Sequence, residues 1–277
     1  MFSIVELSQL DDLRDLAELL REVWARSGEP PINSDILKAL AHSGNYVCGA
    51  YLGHRLVGGL VGWFGGVPPR DLHLHSHILG VVSGSEAHGL GFELKQHQRR
   101  WCLERGVKVI EWTTDPLVRR NAYFNLTKLG ARAGTYLVNV YGQMTDGINA
   151  GEESDRLLIT WQLESQNAEA AAGGRAAEPS LDELVRHGAA TVLSVGPSGE
   201  PVGTAAGHAH GEISKSDARV LLCEVPDDIV VLRQSDPTLA RDWRMALRTA
   251  ITDALAAGYE ISGATRSGWY MLERRAN

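Results

Sequence analysis

The chain has 277 residues, 44% hydrophobic and 22% charged, enough for a substantial core in one large domain or two smaller ones. A formal net charge of −7 excludes the diffuse positive field that non-specific nucleic-acid binding requires. Three widely spaced cysteines (Cys48, Cys102, Cys223) without metal-ligand spacing, an early acidic turn and no apolar run of about 18 residues lead to the expectation of a cytoplasmic protein with reduced thiols and no membrane partner.

In chain order, residues 3–7 read as a short strand. Asp11 and Asp12 then open a helix on which Leu13, Leu16, Leu19, Leu20, Val23 and Trp24 recur at helical spacing. Pro30 and Pro31 break it, and Ser34 is placed to cap a second helix over 35–42. Strands follow over 46–51 and 55–63, joined by a tight turn at 52–54. The strand over 72–82 is chemically unusual. His73, His75 and His77 alternate with Leu74, Ser76 and Ile78, so the three imidazoles share one face.

A glycine-bearing turn over 83–91 leads into a helix over 89–105, stopped by Gly106, and the chain resumes as a strand over 107–113. A helix through 118–129, a strand over 132–140, a polar loop over 142–155 and a strand over 156–163 complete the series. This order predicts an α/β fold with a mostly antiparallel sheet, splayed around one strand–loop–helix unit. Residues 164–180 lack periodicity and read as a linker. Beyond them, strands over 189–195, 219–225, 259–264 and 268–272 surround a strong helix over 237–257, with a Gly/His-rich segment at 203–217.

A turn of small residues opening a helix aims several backbone N–H groups at one point, and the helix dipole adds positive potential there. Gly89 and Gly91 let the chain's backbone approach a phosphate or pyrophosphate ligand closely. Taken alone, a GxG at a helix start is equally a packing feature. Its flanks add to it: Glu86-Ala87-His88-Gly89-Leu90-Gly91 resembles the Gln/Arg-x-x-Gly-x-Gly/Ala signature of the GNAT superfamily of acyl-CoA N-acyltransferases. The surrounding element order matches over about residues 1–165, and 121–130 resembles that family's later helix along the pantetheine arm.

The resemblance implies a GNAT-like domain over 1–165, a linker over 166–180 and a smaller α/β unit over 181–277. It implies acetyl-CoA, or another acyl-CoA such as succinyl-CoA, held by Leu79, Gly80, Val81, Val82, Ala87, His88, Gly89, Leu90, Gly91 and Phe92, and by Asn121, Phe124, Asn125 and Lys128. The partner it implies is a small-molecule amine or amino acid, with a homodimer left open. Two positions depart from the pattern. Glu86 stands where the family has Gln or Arg, with Lys95, Arg119, Arg120 or Lys128 to offset it. Leu126 stands where many members carry an acidic tyrosine, and Tyr123 is the substitute one turn earlier.

An amine must lose a proton to attack a thioester, and imidazole, with an unperturbed pKa of about 6.5, suits that work. The run 75–81 is similar to the arylalkylamine branch of the superfamily, which makes His75 and His77 candidate bases. A backbone N–H near Val81 or Val82 is the candidate oxyanion donor. Same-side residues on a strand lie about 7 Å apart, so one zinc ion joins neighbouring histidines but hardly all three. A half-buried polar stripe and a non-catalytic acyl-CoA sensor with a degenerate site are the alternatives. Weaker candidates are Arg119 and the loop residues Asp146, Asn149, Ser154, Asp155 and Arg156.

Overall fold

The computed structural model describes residues 2–24, 28–66, 72–84, 87–142, 153–203 and 218–275. The chain forms two compact units, Met1–Trp112 with Gln162–Glu164, and Thr113–Trp161 with Ser165–Asn277.

In the first unit, β1 (Ser3–Glu6) precedes α1 (Leu10–Val23) and α2 (Ser34–His42). Next come β2 (Tyr46–Leu52), β3 (Arg55–Gly65), β4 (His73–Val81), α3 (Leu90–Glu104) and β5 (Val109–Thr114). The expected α1 periodicity is observed, with Leu13, Leu16, Ala17, Leu19 and Leu20 buried and both acidic residues in the first turn, where the dipole favours them. The cap of α2 differs from expectation. It is Asn33, whose side chain accepts from the Ile36 N–H at 3.2 Å, so Ser34 already lies inside the helix.

Strands pair antiparallel from β1 to β4, and β5 joins β4 in parallel. Gly59 and Gly80 are cross-strand partners. A Cβ on Gly59 would stand 2.2 Å from Leu16 Cδ1, and one on Gly80 2.7 Å from Leu20 Cδ2. The absence of side chains there lets α1 lie directly on the backbone of β3 and β4. On the opposite face, α3 buries Leu90, Leu94 and Gln98 at four-residue steps, and its Trp101 stacks on Phe64 with ring centroids 5.7 Å apart. Arg99 donates twice to the Leu163 carbonyl, at 2.9 and 2.6 Å.

The second unit holds α4 (Arg119–Ala122), a π-helical turn (Tyr123–Lys128), β6 (Arg132–Leu137) and β7 (Arg156–Gln162). There follow α5 (Gln166–Ala172), α6 (Leu181–Arg186), β8 (Ala190–Val195), β9 (Pro201–Gly203) and β10 (Val220–Glu224). It closes with α7 (Ile229–Ser235), α8 (Pro237–Ala256), β11 (Tyr259–Ala264) and β12 (Trp269–Arg274). The strands are antiparallel except for β8 against β10. Within 164–180, where no periodicity is legible, Ser165 caps α5, and Ala168 and Ala171 are its buried contacts. Alanines carry too little hydrophobic contrast to mark a face.

α8 begins at Pro237 with Asp236 accepting from the Leu239 N–H at 3.0 Å. Trp243 is fully buried and donates from Nε1 to the Gly199 carbonyl at 2.8 Å, anchoring the helix. All three cysteines are buried and free, with burial pushing each thiol up to about 12. Among the described residues, no helix is long and apolar enough to cross a membrane.

Candidate functional site

The candidate centre in the first unit starts from an irregularity in β4. Val61 faces Ile78 while Gly62 faces Ser76, so His77 is an extra, bulged residue. On its other side, among the described residues, β4 pairs with β5 at Leu74 with Ile110 and at His75 with Glu111. Beyond His75, β4 presents its ladder groups to an opening edge. Val82 donates to the Val57 carbonyl at 3.0 Å and is therefore spent on β3. By the alternation of an antiparallel ladder, the N–H of Val81 points the other way, into the opening. Of the two candidate oxyanion donors, Val82 is the one bonded to β3.

The histidines are not evenly spread. The rings of His75 and His77 lie 5.8 Å apart, and Trp63 packs on both, at 5.1 and 4.4 Å between centroids. His73 turns instead to Glu111, with Nε2 3.7 Å from Oε2. It lies over Gly65, where a Cβ would meet His73 Nε2 at 2.6 Å. Burial lowers the pKa of His75, helped by His77 and His73 and opposed by Glu111. Desolvation lowers that of His77, although the residue is exposed at the surface. Both shifts favour the neutral imidazole, the form that can accept a proton. Among the described residues, no group of three His, Cys, Asp or Glu side chains is arranged to hold a metal ion.

From this strand the chain runs to the entry of α3. Gly89 is the N-cap at φ +84°, left-handed, where a side chain is strained. Its carbonyl accepts from Phe92 and Glu93 at 3.0 and 3.2 Å, while the N–H groups of Leu90 and Gly91 precede the first helical acceptor. A Cβ on Gly89 meets nothing within 4 Å, and one on Gly91 meets only Leu79 Cδ2 at 3.9 Å. Among the described residues, nothing crowds the turn at these two positions. His88 is exposed, and Ala87 and Leu90 are buried beneath the turn. Leu79, Val81, Val82 and Phe92 are half-buried, and Gly80 is buried against α1. Glu86 lies outside the described residues.

Lys95, one of the cations expected to offset Glu86, is instead buried behind β4. Its Nζ donates to Ser76 Oγ at 2.8 Å and sits 3.6 Å above the Trp112 ring. Desolvation lowers its pKa to about 7. Sequence reasoning missed Trp63 and Glu111 and misplaced this lysine, because each meets the histidine strand only through a register set by distant segments.

In the second unit, the helix expected over 118–129 is α4 followed by the π-helical turn. Leu129 donates to the Phe124 carbonyl at 3.0 Å, a five-residue step. Tyr123 and Leu126 consequently do not share surroundings. Leu126 is buried, while Tyr123 is half-buried under the Arg266 guanidinium, 4.9 Å from its ring. Asn121 and Phe124 are half-buried, Asn125 is buried and Lys128 exposed.

Arg119 is paired with Asp227, which engages the guanidinium that the sequence offered to a phosphate. Asp155 accepts from Tyr136 at 2.7 Å, Asn139 at 3.1 Å and Arg248 at 2.8 Å, and Ser154 accepts from the Tyr141 N–H. These are the bonds of a capped loop. Asp146 and Asn149, like His208 and His210, lie outside the described residues.

No protein-family model and no curated protein sequence matches the chain. Solved structures of acetyltransferases resemble it over somewhat more than half its length. An N-acetyltransferase from Staphylococcus aureus Mu50 is 13% identical, covering 59% of this chain and 99% of its own, with a TM-score of 0.47. The aminoglycoside 6'-N-acetyltransferase from Enterococcus faecium is 15% identical, covering 60% and 98%, with a TM-score of 0.45. Arabidopsis thaliana Naa50, solved with a bisubstrate analogue, is 17% identical, covering 57% and 97%, with a TM-score of 0.43.

Proposed function

We propose that this chain is an acyl-CoA-dependent N-acyltransferase that moves an acetyl group, with succinyl as second candidate, to the amine of a small molecule. The observation that carries the reading is a half-buried imidazole, His75, beside an exposed one, His77, at a bulge on the strand that runs to the helix entry at Gly89. Acetyl-CoA supplies an activated acyl group as a thioester. The open ground at Gly89 and Gly91 fits its pyrophosphate, which the N–H groups of Leu90 and Gly91 and the dipole of α3 attract.

His75 or His77 takes the proton that the acceptor amine loses, and burial keeps that imidazole unprotonated beforehand. The Val81 N–H meets the developing oxyanion, a contact worth about 3 kcal/mol where such donors have been removed. Tyr123 is carried as the acid for the departing thiolate, and Asn121, Phe124, Asn125 and Lys128 as pantetheine residues, both on the resemblance alone. The chemistry is assigned to residues 1–165, with 181–277 as an added unit, in a cytoplasmic protein. Thiol release from acetyl-CoA across a panel of primary amines tests the reading. Turnover that falls about 10²-fold or more in His75→Ala or His77→Ala supports it. Acetyl-CoA binding with no turnover of any amine leaves a non-catalytic acyl-CoA sensor.

A further inference from the structure

We infer that Glu111 and Trp63 form the acceptor subsite, and that this subsite selects an alkylammonium ion over an α-amino acid. The inference rests on the acyl-transfer reading for where the acceptor arrives, and on the face of β3, β4 and β5 for what it meets. Glu111 is the cross-strand neighbour of His75 and lies 3.7 Å from His73, with both side chains about one quarter exposed, 26% and 27%. Trp63 contributes an indole packed against both His75 and His77. Among the described residues, the groups that act on His75 are His77, His73, Glu111 and Lys95. Lys95 lies behind the strand, on Ser76.

With His75 and His77 neutral, the Glu111 carboxylate is the charge offered to an incoming cation. An ammonium ion is drawn by that carboxylate and by the indole face. A substrate with a carboxylate one carbon from its amine brings like charge toward Glu111 and binds more weakly. Once seated, the ammonium passes one proton to a neutral ring nitrogen of His75, and the amine nitrogen regains its lone pair.

Pentylamine and norleucine, which differ by that carboxylate, are the probes. With acetyl-CoA, the wild type is expected to turn over pentylamine with a kcat/KM about tenfold or more above norleucine, a difference of about 1.4 kcal/mol. Glu111→Gln is expected to raise the pentylamine KM about tenfold and erase the preference while leaving acetyl-CoA affinity unchanged. Glu111→Asp, which keeps the charge, is expected to retain the preference. Equal or better use of norleucine by the wild type overturns the inference, as does an unaltered preference in Glu111→Gln.

Should acetyl-CoA fail to bind, the acyl-transfer reading falls on its own. Pentylamine titrated into the protein alone, followed by the imidazole proton resonances, then still decides the subsite. Shifts present in the wild type and lost in Glu111→Gln support it, and no shift at millimolar amine overturns it.

Discussion

His75 titrates below the usual imidazole range because burial dominates, with two neighbouring imidazoles adding to the shift and Glu111 pulling against it. The acid limb of the kcat/KM profile is therefore expected below about pH 6.5. Glu111→Gln removes the opposing influence, so its limb is expected at still lower pH; a limb that moves up contradicts the assignment of His75. Lys95 carries a stability signature with the opposite look. Its pKa is about 7 when folded against a model value of 10.5, so between these values the unfolded chain holds more protons. Stability then rises with pH through that window, by up to about 5 kcal/mol for this one group. In denaturant melts, Lys95→Met is expected to be at least as stable as wild type at pH 7 and to lose that advantage by about pH 10. The alternation of the histidines was legible in the sequence, but their neighbours were not. Trp63 and Glu111 reach them only through the pairing of three strands, and a buried lysine on a helix reads in sequence as solvated.

At the scale of elements, the glycine pair under α1 sets how the helix seats on the sheet. A valine at position 59 pushes into Leu16, already 2.2 Å from an added Cβ, and the overpacking is expected to cost about 3 kcal/mol or more. Thermal unfolding of Gly59→Val checks this, and an unchanged midpoint contradicts the packing described. Periodicity made α1, α3 and α8 readable because each buries a continuous stripe. The helix over 118–129 was readable as helical but not as π-helical, since the widened turn leaves no residue-type signal. Tyr123 consequently lost the shared face with Leu126 that simple three-residue spacing assigned to it. The short helices α5, α6 and α7 escaped notice for want of a strong apolar stripe.

Across the whole molecule, each unit is held by its own interior, and the second by buried charge as well as apolar packing. Asp115 accepts from Arg233 at 2.6 Å and has Arg244 and Arg156 at 3.5 and 3.6 Å, all nearly inaccessible to water. Burial alone raises its pKa, but Arg233 and Arg244 outweigh it and hold the carboxylate ionised. Asp115→Ala leaves three guanidiniums around a lost anion and is expected to cost about 3–5 kcal/mol in urea unfolding. The central claim is that the entry of α3 binds the pyrophosphate of an acyl-CoA. Calorimetric titration of acetyl-CoA into wild type and Gly89→Trp, with circular dichroism confirming that both are folded, tests it most directly. The account predicts micromolar binding to the wild type that the tryptophan abolishes. No binding to the wild type, or equal binding to both, contradicts it.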